Sequence, residues 1–109
     1  MNSAVIAIVA AECRAAAEKE TTLEGRLKAA FSVARDHWMA TDENDQLNGA
    51  VVAIHGISND EDKRRLELEM KSLRALNAAM SGVPVDFEGL ELPEKPIGIV
   101  ALWKAAKAA

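Results

Sequence analysis

The stretch from Ser58 to Gly82 constrains the fold more than any other part of the chain. Leu66, Met70, Leu73, Leu76 and Met80 recur at three and four residues, which aligns them as one stripe along a helix. Asp60, Glu61 and Asp62 open the stretch, where a helix dipole is positive, and Ser58 with Glu61 reads as a capping box. Gly82 and Pro84 form the stop. A helix with a single apolar stripe must bury it against other elements, so the remaining segments are read as its packing partners.

Two of those partners are helices by the same reasoning. From Ser3 to about Lys19, Ile6, Val9, Cys13 and Ala16 share a face. Thr21 and Glu24 form a capping-box signature, after which Leu23, Leu27, Ala30, Phe31, Ala34 and Trp38 continue a helical stripe to about Met39. The acidic joint of residues 41–46 is turn-prone, and Thr41 or Asp42 can cap the next segment. Leu47, Val51, Ile54 and Ser58 fit a helix, although the β-branched run near Val51, between Gly49 and Gly56, also suits a buried strand.

Residues 83–96 break the pattern. Val83, Val85 and Phe87 alternate with Asp86 and Glu88, then Leu90, Glu91 and Leu92 resume the alternation until Pro93 and Pro96 end it. Pro96 suits a first helical turn, and Ile97, Val100 and Trp103 read as a terminal helix, with a strand over residues 97–103 as the competing reading. The expected architecture is an all-α single domain, residues 1–109, a bundle of four or five helices with an extended segment near residues 83–96. The alternative is an α+β fold in which residues 50–57, 83–92 and 97–103 make a small sheet.

At 109 residues the chain can bury roughly two-thirds of its unfolded surface, enough for one core. Alanine supplies about a fifth of the residues and aromatics only 4%, so that core is thin. The lone Cys13 points to a reducing compartment, and the apolar run from Ala4 to Ala11 is too short for a membrane span and lacks a basic leader. The expectation is a cytoplasmic protein without membrane association. A net charge of -4 disfavours general binding to polyphosphate and favours a basic partner.

The chemistry-bearing residues do not converge. Cys13 lies on an apolar face, far in sequence from His37 and His55, and behaves as a small hydrophobe rather than a nucleophile. The histidines and cysteine lack ligand spacing, and Asp42, Glu43, Asn44 and Asp45 resemble a calcium loop without its glycine or closing glutamate, so neither metal nor cofactor is expected. Asp36 and His37 point about 100° apart on a helix. Lys63, Arg64 and Arg65 beside a short turn at residues 56–59 imitate a helix-turn-helix. Asp60, Glu61, Asp62, Glu67 and Glu69 flank that triplet and cancel its field.

What remains is a non-enzymatic protein-binding module. Asp86, Phe87, Glu88, Leu90 and Glu91 interleave apolar anchors with acids, and Asp42, Glu43 and Asp45 make a second acidic patch. The expected partner is a larger protein with a basic surface, itself a binder of nucleic acid. Small, acidic, cysteine-poor chains of this kind are common among inhibitors and adaptors encoded by phages and mobile elements, inhibitors of CRISPR effector complexes among them. That likeness is one of type and is carried by no particular residues. The alternatives are a homo-oligomeric structural subunit that pairs through the Leu66 to Met80 stripe, and a helix-turn-helix-like DNA binder.

Overall fold

The computed structural model describes residues 3–38 and 42–109. Five helices make up its regular structure: α1 (Ser3–Ala17), α2 (Leu23–Arg35), α3 (Glu43–Ile57), α4 (Asp60–Met80) and α5 (Ile99–Ala108). The all-α expectation holds. Among the described residues there is no strand, because residues 50–57 belong to α3, residues 83–92 are irregular and most of residues 97–103 belong to α5.

The helix starts differ from the capping boxes by one residue in each case. Thr22, not Thr21, caps α2, its hydroxyl accepting from Gly25 N–H at 3.0 Å. Asn59, not Ser58, caps α4 by accepting from Asp62 N–H at 2.8 Å, while the Ser58 hydroxyl turns back and donates to Ile54 C=O at 2.5 Å. Asp42 caps α3 as expected, accepting from Asn44 N–H at 2.8 Å; Thr41 lies outside the described residues. At the far end of α4, Gly82 adopts φ +83°, and its N–H and that of Val83 donate to Ala79 and Ala78 C=O. These are the two bonds of a Schellman stop, which require a residue at ease in the left-handed region.

Two other expectations are corrected. The α2 stripe ends at Arg35 instead of running to Trp38; His37 turns inward, Trp38 is 79% exposed, and Met39 lies outside the described residues. Pro96 is not in the first turn of α5. That helix starts at Ile99, behind Gly98 at φ +81°.

Helices α1, α2 and α3 pack mutually, α5 lies on α2, and α4 touches chiefly α3. The shared core draws on Val9 and Cys13 of α1, Leu27 and Phe31 of α2, Ile54 of α3, Leu66 and Met70 of α4, and Ile99 and Trp103 of α5. Phe31 and Trp103 meet edge to face, centroids 5.4 Å apart. Five alanines, Ala17, Ala30, Ala34, Ala50 and Ala53, fill the spaces between, so helix backbones approach closely. At Gly49 the approach leaves no room for a side chain: an added Cβ would lie 2.6 Å from Val9 Cγ1.

Helix α5 is held at both ends by side chains from elsewhere. Its N-terminus has no side-chain cap of its own, since Gly98 occupies the N-cap. Glu69 of α4 supplies one. This buried carboxylate accepts from the backbone N–H groups of Ile97 (2.6 Å), Gly98 (3.4 Å) and Ile99 (2.8 Å). An anion at a helix N-terminus satisfies orphan donors and meets the positive end of the dipole. At the other end Arg35 of α2 donates to the carbonyls of Ala106 and Ala109. Glu69 therefore does not belong to the screen around Lys63, Arg64 and Arg65. Neither does Glu67, which lies 2.7 Å from His55 Nε2.

Only the first half of the α4 stripe is used in the core. Leu66 and Met70 are buried and Leu73 is half-buried, whereas Leu76 is half-exposed and Met80 is 79% exposed.

Two substitutions test this packing. Glu69→Ala leaves the first α5 amides without their acceptor and is expected to lower the free energy of unfolding by roughly 2–4 kcal/mol, the range for losing charge-assisted bonds to a buried group. Urea unfolding followed by tryptophan fluorescence reads it, with Glu67→Ala as a surface control within about 0.5 kcal/mol of wild type. Gly49→Ala is expected to cost about 1–3 kcal/mol by overpacking against Val9. Combining it with Val9→Ala should cost less than the sum of the two single changes, because the second removes Cγ1, the nearer clashing atom, although Cβ at 2.8 Å remains.

Candidate functional site

Of the sequence-derived site residues, Asp42, Glu43, Asp86, Phe87, Glu88 and Glu91 are exposed, Leu90 is half-buried and Asp45 is buried. In the segment after α4, Asp86 builds the turn: its Oδ1 accepts from Glu88 N–H (3.1 Å) and Gly89 N–H (3.2 Å). Gly89 suits this position, since a Cβ there would sit 3.0 Å from Asp86 Oδ2. Leu90 N–H then closes back on Phe87 C=O at 3.3 Å. Glu91 reaches Arg64 at 2.5 Å, and Arg65 donates to Lys95 C=O at 3.4 Å, so the segment returns along the first half of α4. Asp86 and Glu91 thus make contacts within the chain while staying exposed, Phe87 and Glu88 are exposed as well, and Leu90 is half-buried.

The exposed apolar side chains of this region are more numerous than the alternation implied. Phe87 is 53% and Leu92 65% exposed, and Val83, Leu76 and Met80 join them. Val83, Leu76, Met80 and Leu92 were missed as site residues because a helical stripe and an alternating segment read from sequence as faces that will be covered. Nothing in the spacing of Leu66, Met70, Leu73, Leu76 and Met80 marks where the covering helices end.

Of the second acidic patch, Asp42 and Glu43 are exposed and Asp45 is buried. Asp42 caps α3. Glu43 Oε1 accepts from Trp103 Nε1 at 2.8 Å and from the Lys107 ammonium, fastening the start of α3 to α5, and these two donors, Lys107 first, hold its carboxyl below the usual glutamate range. Asp45 is 6% exposed, and its Oδ1 has no hydrogen-bond partner among the described residues.

The candidates for chemistry stay apart. Cys13 is fully buried, its Sγ bonded to Ala30 C=O at 3.2 Å, and burial, aided by Glu12, pushes its thiol up to about 12. A thiol so placed is protonated at neutral pH and is a poor nucleophile. His37 is buried with Nε2 3.1 Å from Glu12 Oε2 and its ring stacked beside that of Trp38. Among the described residues no three His, Cys, Asp or Glu side chains come together as a metal site. Of the basic triplet, Arg64 is engaged by Glu91 and Arg65 by Asp62. No helix of the described residues is long and apolar enough to cross a membrane.

Two adjoining open hollows, of about 390 Å³ and 420 Å³, lie between α3 and α4, the second also lined by Val100 of α5, and they share Met70 and Arg74 as walls. No family model, curated protein or solved structure matches this chain.

The Glu43 contacts predict an acid-side loss of stability. Because the folded-state value lies below the ordinary 4.5, folding gains from the ionised carboxylate above that pH and loses the gain as pH falls through the lowered value. Thermal unfolding between pH 7 and pH 3 should therefore show a midpoint that falls below about pH 4.5. Glu43→Gln should flatten part of that decline while lowering the midpoint at pH 7.

Proposed function

We propose that this chain is a non-catalytic protein-binding module whose contact surface is the exposed end of α4 together with the segment after it. The observation that carries the reading is the concentration of half-exposed or more exposed apolar side chains there: Leu76, Met80, Val83, Phe87 and Leu92. Scattered apolar residues on a surface are ordinary, but several from one helix end and its adjoining loop are the usual mark of a contact region. Phe87 and Met80 are the residue types that anchor such interfaces, and Glu88, which forms no ion pair among the described residues, is free to choose a partner by charge.

The partner is expected to be a larger protein with a basic surface, and the net charge of -4 supports that choice through faster encounter. Inhibition of a nucleic-acid-handling protein, of the kind phages and mobile elements encode, is the finer form of the same proposal. It rests on size, acidity and the lack of clustered chemistry in the described residues. A cytoplasmic location is the reading that the single reduced cysteine supports.

Affinity capture from a lysate of the source cells, with and without nuclease, tests the reading. One stoichiometric protein should survive nuclease and be lost with the double variant Phe87→Ser, Leu92→Ser, which removes at least about tenfold in affinity if either side chain is an anchor. Both residues are largely exposed, so circular dichroism should be unchanged. Retention unaffected by the double variant, or retained nucleic acid in place of protein, overturns the assignment. A dimer in sedimentation that dissociates in the same variant reassigns the surface to a second copy.

A further inference from the structure

The hollows between α3 and α4 form one trough. Late α3 (Val51, Val52, His55) faces the middle of α4 (Leu66, Glu67, Met70, Lys71, Arg74), and early α3 (Asn44, Leu47, Asn48) faces late α4 (Leu73, Arg74, Asn77), with Val100 of α5 at that end. The two helices thus run antiparallel and splay apart. On each side the lining spans eleven residue steps, Asn44 to His55 and Leu66 to Asn77, which is about 16 Å of helix. Its floor is apolar, through Leu47, Val51, Met70 and Leu73.

The charge of the trough opposes that of the chain. Its one carboxylate, Glu67, is tied to His55 at 2.7 Å. Lys71 and Arg74 have no carboxylate partner among the described residues, as is also true of Lys19, Arg26, Lys63, Lys95 and Lys104, whereas Arg14, Lys28, Arg35, Arg64, Arg65 and Lys107 are paired. Positive charge therefore exceeds negative in the trough by one with His55 neutral and by two with it protonated, although the chain as a whole is at -4.

We propose that the trough is a docking groove for an acidic amphipathic helix of about three turns, carried by a partner protein. The proposal rests on the reading of the chain as a protein-binding module and adds a second contact of opposite charge preference. Three observations select this occupant. The walls are two helices, with no free backbone edge to pair with a strand, so the recognition mode available is a helix laid between helices. The hollows are open along their length, and Val52 is half-exposed, which suits a rod seated on apolar anchors better than an enclosed small molecule. Lys71 and Arg74 sit at the middle of the α4 wall, so a second copy pairing α4 with α4 about a two-fold axis there would set these cations against their twins. An acidic helix meets them with complementary charge.

The test is selection of helical peptides from a randomised display library against the intact protein, followed by methyl NMR mapping of the winner. Enriched peptides should carry apolar residues at helical spacing flanked by Asp and Glu, and should shift the methyls of Val51, Val52, Leu66 and Met70. Lys71→Glu with Arg74→Glu should weaken the selected peptide at least tenfold. Val52→Asp, at a half-exposed site that leaves the core intact, should do the same. Phe87→Ser with Leu92→Ser should leave its binding unchanged. The proposal is overturned by winners that are neutral or basic, by shifts that map elsewhere, by a selection that enriches nothing, or by trough methyls that move with protein concentration because a second copy covers them. In each of those cases a partner captured through Phe87 and Leu92 would still stand, so failure of the groove is separable from failure of the module.

Discussion

The position of the fifth helix depends on one carboxylate. Glu69 comes from the middle of α4 and lies buried against the start of α5, accepting from three consecutive backbone amides. Gly98 cannot cap with a side chain, so without Glu69 the buried Ile99 amide and the partly buried amides of Ile97 and Gly98 would lose their acceptor. Seating α5 there brings Trp103 against Phe31 and within reach of Glu43, and places the last carbonyls of α5 over Arg35. A polar contact between residues about thirty positions apart thus controls where the aromatic part of the core forms.

The same arrangement explains the exposed surface. Helix α4 is seated by Leu66, Glu69 and Met70, none beyond its midpoint, and α1, α2 and α3 pack among themselves with small residues that permit close approach. A core spaced by alanine is narrow, so it has no apolar wall long enough to cover twenty-one residues of α4. The second half of the stripe stays outside, and the splay between α3 and α4 leaves the trough. Residues 81–98 then return along α4, tethered by Glu91 to Arg64 and by Arg65 to Lys95 C=O, which presents Phe87 and Leu92 outward.

Several of the acids also make contacts within the fold. Asp42, Asp86, Glu43, Glu69 and Glu91 all serve caps, turns or tethers. Because short polar side chains near a helix start or turn are drawn to the nearest unsatisfied amide, acids in those places are poor guides to an interface. Glu88 on the segment and Lys71 and Arg74 in the trough are among the charges without an ion-pair partner in the described residues, and they have opposite signs.

Helical periodicity determined α1, α2 and α4 to within a few residues, the burial of Cys13 and the stop at Gly82, because these depend on spacing and on local backbone chemistry, while residues 50–57 and 97–103 stayed open between helix and strand. The caps at Thr22 and Asn59 fell one residue beyond the capping boxes, since neighbouring hydroxyls and amides compete for the same N–H groups and tertiary contacts choose between them. Only the tertiary structure decided that Asp45 turns inward, that Glu69 faces α5 instead of the basic triplet, and that Leu76 and Met80 are left bare. A stripe of apolar residues states that a face will prefer burial. Whether there is a neighbour to bury it depends on the lengths and angles of the other helices, which no residue in the stripe encodes.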